Sequence, residues 1–557
     1  MILVEYSAAS SGGLIKCKSE STKKEYITAV IDGAVAEKYK MLKNDLLKVD
    51  VVLLIDMIYK RIGIPVHTAN EITSLVDNDK KVWDIYANGY TIGVNQCEKE
   101  SAMKKLRRYQ PKNISELCAW IAAIRPAFKS MYSKFESRES FEYGIPAFDK
   151  ILQTPQFPYS YILYQEQSMN TLSYAGFPLD ECYGIIKAIA KKHPEKVKPL
   201  KARFIEGFKN KIMQDDHIEA DQAAEMSARV WQIIDDSCGY GFNSAHAYCM
   251  AIDSLYCAYL KAHHTYEFYE VLLQVFSDKG KKDKVQALKQ EMLTAFGIKE
   301  GEYKFGVDNR RFVADKEKGV IYPSLLSIKG LSQGCADELY ELSQAQTFDN
   351  FYDLWKAINS LPSLNAAKID TLIKMDYFKD YGSMDKIQKF VQAIDLLHEK
   401  SQFNKDNLPC GFETIIKKYT VETNKQYRKF DYESALKEVW RLIPNTKPNV
   451  SKIIHYQNEL YGYISYRDPS RLSSAAVIDV DTRYNTFRTK LYRLSDGQII
   501  TTKLKRRTYE QMPITVGMVV NYRTHTKPGW IRDENGEWQT DYSKQDLWLS
   551  SYTVEEM

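Results

Sequence analysis

The sequence predicts a multidomain α+β protein whose β-rich ends flank a long, mainly helical middle. Three observations point there. A chain of 557 residues exceeds what one hydrophobic core holds, and 44% hydrophobic with 27% charged residues is the composition of packed globular domains. Apolar residues recur at helical spacing from 61 to 290. Short alternating runs bounded by turn residues occupy 1–60 and 451–557.

Composition excludes some function classes and leaves others to local motifs. The net charge of +5 is too mild to argue for a nucleic-acid partner, so basic clusters must carry that case. Nine cysteines contain no C-x-x-C pair or zinc spacing, which points to a reducing cytosol without disulfides. Cys238, His246, Cys249, Cys257 and His263 crowd together in sequence, but cysteines on helices are mostly small core hydrophobes. The start Met1-Ile2-Leu3-Val4-Glu5-Tyr6 lacks the pattern of a signal peptide, and no apolar run reaches the roughly 18 residues of a membrane span, so no membrane partner is expected.

Taken in order, Ile2 to Tyr6, Gly13 to Cys17 and Tyr26 to Ile31 read as short strands. The apolar run Leu46 to Leu54, interrupted by Asp50, reads as a buried strand. An unpaired carboxylate there is costly; an Asp ending a strand, or one holding Mg²⁺, removes the cost. Lys104, Lys105, Arg107 and Arg108 form a cationic cluster, which is either a solvated helix face or a DNA contact. Arg125, just before Pro126, suits bidentate phosphate binding. The turn Cys238 to His246 sets two glycines around Tyr240 and caps a helical pattern from Ala247 to Val275 with Asn243 and Ser244. A helix mouth is a natural seat for polyanions, although a capped core helix explains the same residues.

Further along, 381–450 reads as a charged helical connector with a Pro-Asn-rich linker at 443–449. Strands then alternate over Ala476 to Thr482, Phe487 to Leu494, Gln498 to Arg506 and Val516 to Arg523. Arg483, Arg488, Lys490, Arg493, Lys503, Lys505, Arg506 and Arg507 lie among Tyr484, Phe487, Tyr492 and Tyr509. Cations interleaved with aromatics on a small barrel suit single-stranded DNA; an ordinary solvated hairpin is the alternative. Asp479 and Asp481 read as exposed carboxylates of that hairpin rather than as metal ligands.

Several of these stretches resemble the bacterial replicative DNA polymerase III alpha subunit, a C-family polymerase. The resemblance rests on Tyr164-Gln165-Glu166-Gln167 with Met169, on Tyr240-Gly241-Phe242-Asn243 with His246-Ala247, and on Tyr259-Leu260-Lys261-Ala262-His263. Thr91-Ile92-Gly93-Val94, Ile124-Arg125-Pro126 and Ser327-Ile328-Lys329-Gly330-Leu331 extend it. Ser244-Ala245 stands where the family has Lys-Ser, and Ser332 replaces the second hairpin glycine.

The resemblance implies a partial palm (1–60), mainly helical fingers (61–290), a helix-hairpin-helix duplex-binding region (291–380), the connector (381–450) and an OB-type β-barrel (451–557). It implies that Asp50 is a palm carboxylate of a two-metal Mg²⁺ site and that Arg125, Lys187, Lys191, Lys192, Asn243 and His246 hold the incoming nucleotide. Lys104, Lys105, Arg107, Arg108, Lys329, Gly330, Arg488, Lys490, Lys503, Lys505, Arg506 and Arg507 then contact DNA. The family's paired D-x-D palm carboxylates find no counterpart before Asp50. The implied function is template-directed addition of dNTPs to a primer on primed template DNA, helped by a second chain carrying D-x-D; the alternative is a non-catalytic DNA-binding accessory. Gln392 to Leu397 faintly resembles a sliding-clamp peptide, but lies in the periodicity of a core helix.

Overall fold

The computed structural model describes residues 2–4, 14–18, 25–29, 35, 43–45, 50–124, 128, 131–155, 157–190, 194–238, 243–397, 400–532 and 537–555. It divides into two compact units, Met1–Val66 and His67–Met557.

In the first unit the expected runs form strands. Leu14–Lys18 pairs antiparallel with Glu25–Ala29, and Ile2–Val4 with Lys43–Asp45. The buried strand expected over Leu46 to Leu54 is not found. Residues 46–49 lie outside the described residues, and Asp50–Ile62 is a helix. Its buried residues, Leu54, Ile55, Ile58 and Tyr59, follow a spacing of three and four that only a helix turns to one side. Asp50 is exposed in the first turn, where the macrodipole favours a carboxylate.

The second unit is helical from Ala69–Val76 to Lys282–Phe296. At its centre lies the helix Ser244–His263, packed on Ala69–Val76, Lys80–Ala87, Ile114–Ala123 and Thr265–Asp278. Small residues explain why neighbours come so near: Ala247, Ala251, Ser254 and Ala258 are all fully buried. Tyr86 Oη and Ser254 Oγ share a buried hydrogen bond of 2.9 Å. The single pattern expected from Ala247 to Val275 is two helices, broken at His264, where φ −128° and ψ 49° are not helical. Cys257 and Cys97 face this core and burial pushes both thiols up to about 12, whereas Cys249 is exposed.

Further on, Lys299–Glu300, Val320–Tyr322 and Val313–Asp315 form a three-stranded sheet. The helices Gln333–Ala345, Phe351–Asn359, Ala366–Lys374 and Met384–Leu397 follow. Gln392 to Leu397 ends the last of these, with Ala393, Ile394 and Leu397 buried. The stretch expected to be a helical connector also holds a small sheet of Gln402–Asn404, Gln426–Arg428 and Val421–Glu422.

The C-terminal part is a five-stranded mixed sheet closed on itself. Its strands are Ser474–Asp481, Thr486–Arg493, Ile499–Lys505, Val519–Arg532 and Trp538–Val554, ordered first-second-third-fifth-fourth and back to the first. One parallel contact, Lys503 opposite Trp548, joins third to fifth. Inside lie Val477, Phe487, Leu491, Leu504, Val520 and Leu549. Ile454 of the helix Val450–Leu460 covers a second cluster with Ala476, Tyr492, Leu494 and Val519. Among the described residues no helix is long and apolar enough to cross a membrane.

Candidate functional site

The helix mouth is built by two side chains reaching from different segments. Asn243 stands in extended conformation as the cap of Ser244–His263, its Oδ1 accepting from the His246 amide at 3.0 Å. Its Nδ2 donates to Glu166 Oε1 at 2.7 Å, and the Ser244 amide donates to Glu166 Oε2 at 3.0 Å. A carboxylate of this chain therefore sits on the free amides that the sequence offered to a phosphate. Beside them a cavity of about 380 Å³ is lined by Ser115, Cys118, Tyr164, Gln167, Asn170 and Tyr248, among others.

Glu166 is placed by its neighbour Gln167. Gln167 Oε1 accepts from the Leu163 and Tyr164 amides at 2.8 and 3.0 Å, and its Nε2 donates to Leu152 O at 3.3 Å. The Tyr164-Gln165-Glu166-Gln167 signal is thus a double cap: Gln167 closes the start of its own helix, Gln165–Tyr174, and Glu166 closes the next.

Of the six residues expected at the nucleotide, Arg125, Lys191 and Lys192 lie outside the described residues. Lys187 is exposed on the helix Leu179–Ala190, its ammonium 4.6 Å from the centre of the Tyr183 ring. That helix packs on Gln165–Tyr174, which carries Glu166, so Lys187 and the helix mouth share a scaffold. His246 is exposed in the first turn after Asn243.

Two other signals turn out to be joints. Lys261 is fully buried, donating to Tyr90 O and Ile92 O at 2.8 Å each and paired with Glu291, which also accepts from Tyr269 Oη at 2.7 Å. Burial holds its ammonium below the usual lysine range, against the pull of Glu291. It locks the turn Thr91 to Val94, where Gly93 adopts φ +77° and a Cβ would meet Leu272 at 2.2 Å. Likewise Tyr463 bonds the buried Lys289, which pairs with Glu300 at 2.5 Å.

The cationic helix Glu100–Tyr109 is largely engaged within the chain. Lys104 pairs with Glu100 at 2.7 Å, Arg107 donates to Asn88 O at 2.9 Å, and Arg108 reaches Glu136 at 3.4 Å. Lys105 lies 3.9 Å over the Tyr132 ring. At the glycine hairpin, Gly330 has φ +91° with open space around it, and Lys329 is exposed. Upstream of the hairpin stands only the 3₁₀ turn Leu325–Ser327; downstream comes the helix Gln333–Ala345. Asn309 is a buried tie, donating to Pro323 O at 2.9 Å and Glu302 O at 3.2 Å.

On the barrel, strand alternation turns Arg488 and Lys490 outward and Phe487, Thr489 and Leu491 inward. Lys503, opposite Arg488, pairs with Asp546 at 2.5 Å and lies 5.8 Å from the Trp548 ring. Lys505 is exposed at the strand's end, and Arg506 and Arg507 are exposed on the short helix Arg506–Gln511, where Arg506 pairs with Glu510 at 2.7 Å. Asp481 binds Arg483 at 2.8 Å, which holds its carboxyl down at about 2, and Asp479 lies 3.5 Å from Lys490. The expected aromatic platform is mostly core: Phe487 and Tyr492 are buried and Tyr509 packs beneath, leaving Tyr484 exposed. The exposed rings the sequence reading missed are Trp530, Trp538 and Tyr542. Asn535-Gly536 between two tryptophans is a hairpin signal that marks the spot.

Mg²⁺ does not fit the described residues by themselves. They hold no cluster of three or more His, Cys, Asp or Glu side chains placed for a metal ion, and Asp50 heads a helix instead of ending a buried strand.

Comparison with known proteins agrees with the motifs. Residues 52–212 match the bacterial DNA polymerase III alpha subunit finger domain. DNA polymerase III subunit alpha of Campylobacter jejuni is 29% identical over 315 residues, which are 55% of this chain and 25% of that protein. The Halalkalibacterium halodurans subunit is 26% identical, over 66% of this chain and 31% of that protein. The Streptococcus pyogenes subunit is 24% identical, over 70% and 36%. The chain spans between a quarter and about a third of the length of these relatives. Over part of its length it is therefore distantly similar to the DNA polymerase III alpha subunit, with residues 52–212 matching that subunit's finger domain.

Proposed function

We propose that this chain supplies the fingers and the DNA-holding modules of a template-directed DNA polymerase, with palm carboxylates that complete its metal site coming from a second polypeptide. The finger-domain match over residues 52–212 carries the reading. In it, Arg125, Lys187, Lys191, Lys192, Asn243 and His246 face the incoming dNTP, and Asp50 joins the partner's carboxylates around Mg²⁺. The hairpin at Lys329 and Gly330 holds duplex backbone through its amides, with Lys104, Lys105, Arg107 and Arg108 as further DNA contacts. The strand order of the C-terminal sheet suits an OB-type barrel, and Arg488, Lys490, Lys503, Lys505, Arg506 and Arg507 on its outside suit a single-stranded template. A sliding clamp has no support beyond Gln392 to Leu397, which is core helix.

A second reading, a non-catalytic DNA-binding accessory, is favoured by Glu166 closing the helix mouth. Both readings share DNA binding. In an anisotropy assay the purified chain is expected to bind a primed junction more tightly than either single strand or duplex. With Mg²⁺ and four dNTPs it is expected to leave the primer unextended. Extension by the chain alone overturns the need for a second polypeptide; loss of junction preference overturns the DNA-holding reading. A dNTP-dependent tightening of the junction complex separates the polymerase from the accessory.

A further inference from the structure

Past the barrel, the fourth and fifth strands run on together as a two-stranded ribbon, from Lys527 opposite Asp546 to Arg532 opposite Trp538. A ribbon outside a core has no reason to carry large apolar side chains. This one carries Trp530, Ile531, Trp538 and Tyr542, exposed by 57%, 54%, 59% and 77%. Of the eight tryptophans in the chain, Trp530 and Trp538 are the two that the described surface leaves exposed.

Register puts these two indoles together. Trp530 stands opposite Thr540 and Arg532 opposite Trp538, so the tryptophans lie on one face at diagonal positions, with backbones roughly 7–8 Å apart. At the ribbon's base the same two strands carry His525 opposite Trp548, with the Lys503 and Lys527 ammonium groups 5.8 and 5.6 Å from the Trp548 ring. The exposed rings thus lie further along the same two strands that carry these cations at the barrel.

We infer that this ribbon is a base-stacking arm for single-stranded DNA, with Trp530 and Trp538 as its rings. The inference rests on the proposed template-holding role of the barrel. Every base offers a π-face, so two exposed indoles on one face take successive bases without regard to sequence. Charge does little here: over 523–546 the sequence sets Arg523, Lys527, Arg532 and Lys544 against Asp533, Glu534, Glu537, Asp541 and Asp546. The arm thus contributes through stacking, and the phosphates are held by the cations at the barrel.

The test measures oligo-dT binding across a salt series. The full chain is compared with Trp530→Ala/Trp538→Ala, with Trp530→Phe/Trp538→Phe and with Arg488→Ala/Lys490→Ala. The alanine pair is expected to weaken binding by about tenfold or more while the slope against log salt is unchanged. The phenylalanine pair restores most of the affinity, and oligo-dT quenches tryptophan fluorescence in the wild type. Arg488→Ala/Lys490→Ala flattens the slope instead. If the wild type binds with a normal slope and the alanine pair binds equally well, the stacking arm is wrong and the barrel reading survives. If that pair instead changes only the oligomeric state, the ribbon is a protein interface and the inference falls. A wild type that binds no oligo-dT overturns both.

Discussion

At Asn243 and Glu166, two side chains decide what a helix mouth offers. Asn243 satisfies one free amide and Glu166 another, and Glu166 sets a full negative charge where the macrodipole is positive. Asn243→Ala is expected to lower unfolding stability by about 1 kcal/mol, read from the denaturant midpoint. An unchanged midpoint shows that the cap contributes nothing. Asp376 tells a different story. It holds φ +60°, and burial pushes its carboxyl up from 3.8 to about 6. The folded state therefore binds this proton more tightly than the unfolded state, so stability falls as pH rises from about 4 through 6. Asp376→Asn keeps a residue that tolerates left-handed backbone. It should raise stability at pH 8 by about 1 kcal/mol, less than the full shift because the group is only half-buried. Melting curves at pH 4 and pH 8 check this, and an equal change at both sinks it.

At the scale of elements, the motifs that resemble a polymerase turn out to be the joints that hold the helices in place. Lys261 fastens the helix Ser244–His263 to the turn at Gly93 through two carbonyls and Glu291. Removing it strands a buried carboxylate, so Lys261→Met is expected to cost about 3–5 kcal/mol. Adding Glu291→Leu should recover most of that loss; a double variant no better than the single one refutes the pairing. Such joints are visible in sequence as a pattern, but their role is not, because Lys261 and Glu291 are thirty residues apart and meet only in the packed core. Aromatic residues in the barrel show the same limit. Phe487 and Tyr492 look like a stacking platform in sequence, yet strand alternation and the covering helix bury them.

At the scale of the molecule, a mildly basic chain spends many cations on its own carboxylates. Arg506 pairs with Glu510, so Arg506→Ala/Arg507→Ala is expected to flatten the salt slope of single-strand binding by about one unit, with Arg507 supplying most of it. A slope unchanged within error removes that helix from the DNA path. The cationic helix Glu100–Tyr109 is expected to contribute less than its charge suggests, since its cations already have partners at Glu100, Asn88, Glu136 and Tyr132.

The sequence by itself determined the helical middle, the hairpin strands near the start, four of the five barrel strands and a distant, partial similarity to a polymerase subunit, because periodicity and short motifs are local; it left the fifth strand, Trp538–Val554, unread. It misread Asp50 to Leu54, since a short apolar run suits a strand or a helix equally until Ile55, Ile58 and Tyr59 find their burial. Tertiary structure alone decided that Glu166 fills the mouth it was expected to leave for phosphate, 78 residues from Ser244. It also decided that the exposed rings lie on the ribbon of Trp530 and Trp538, since which side of a strand meets water depends on what packs against the other.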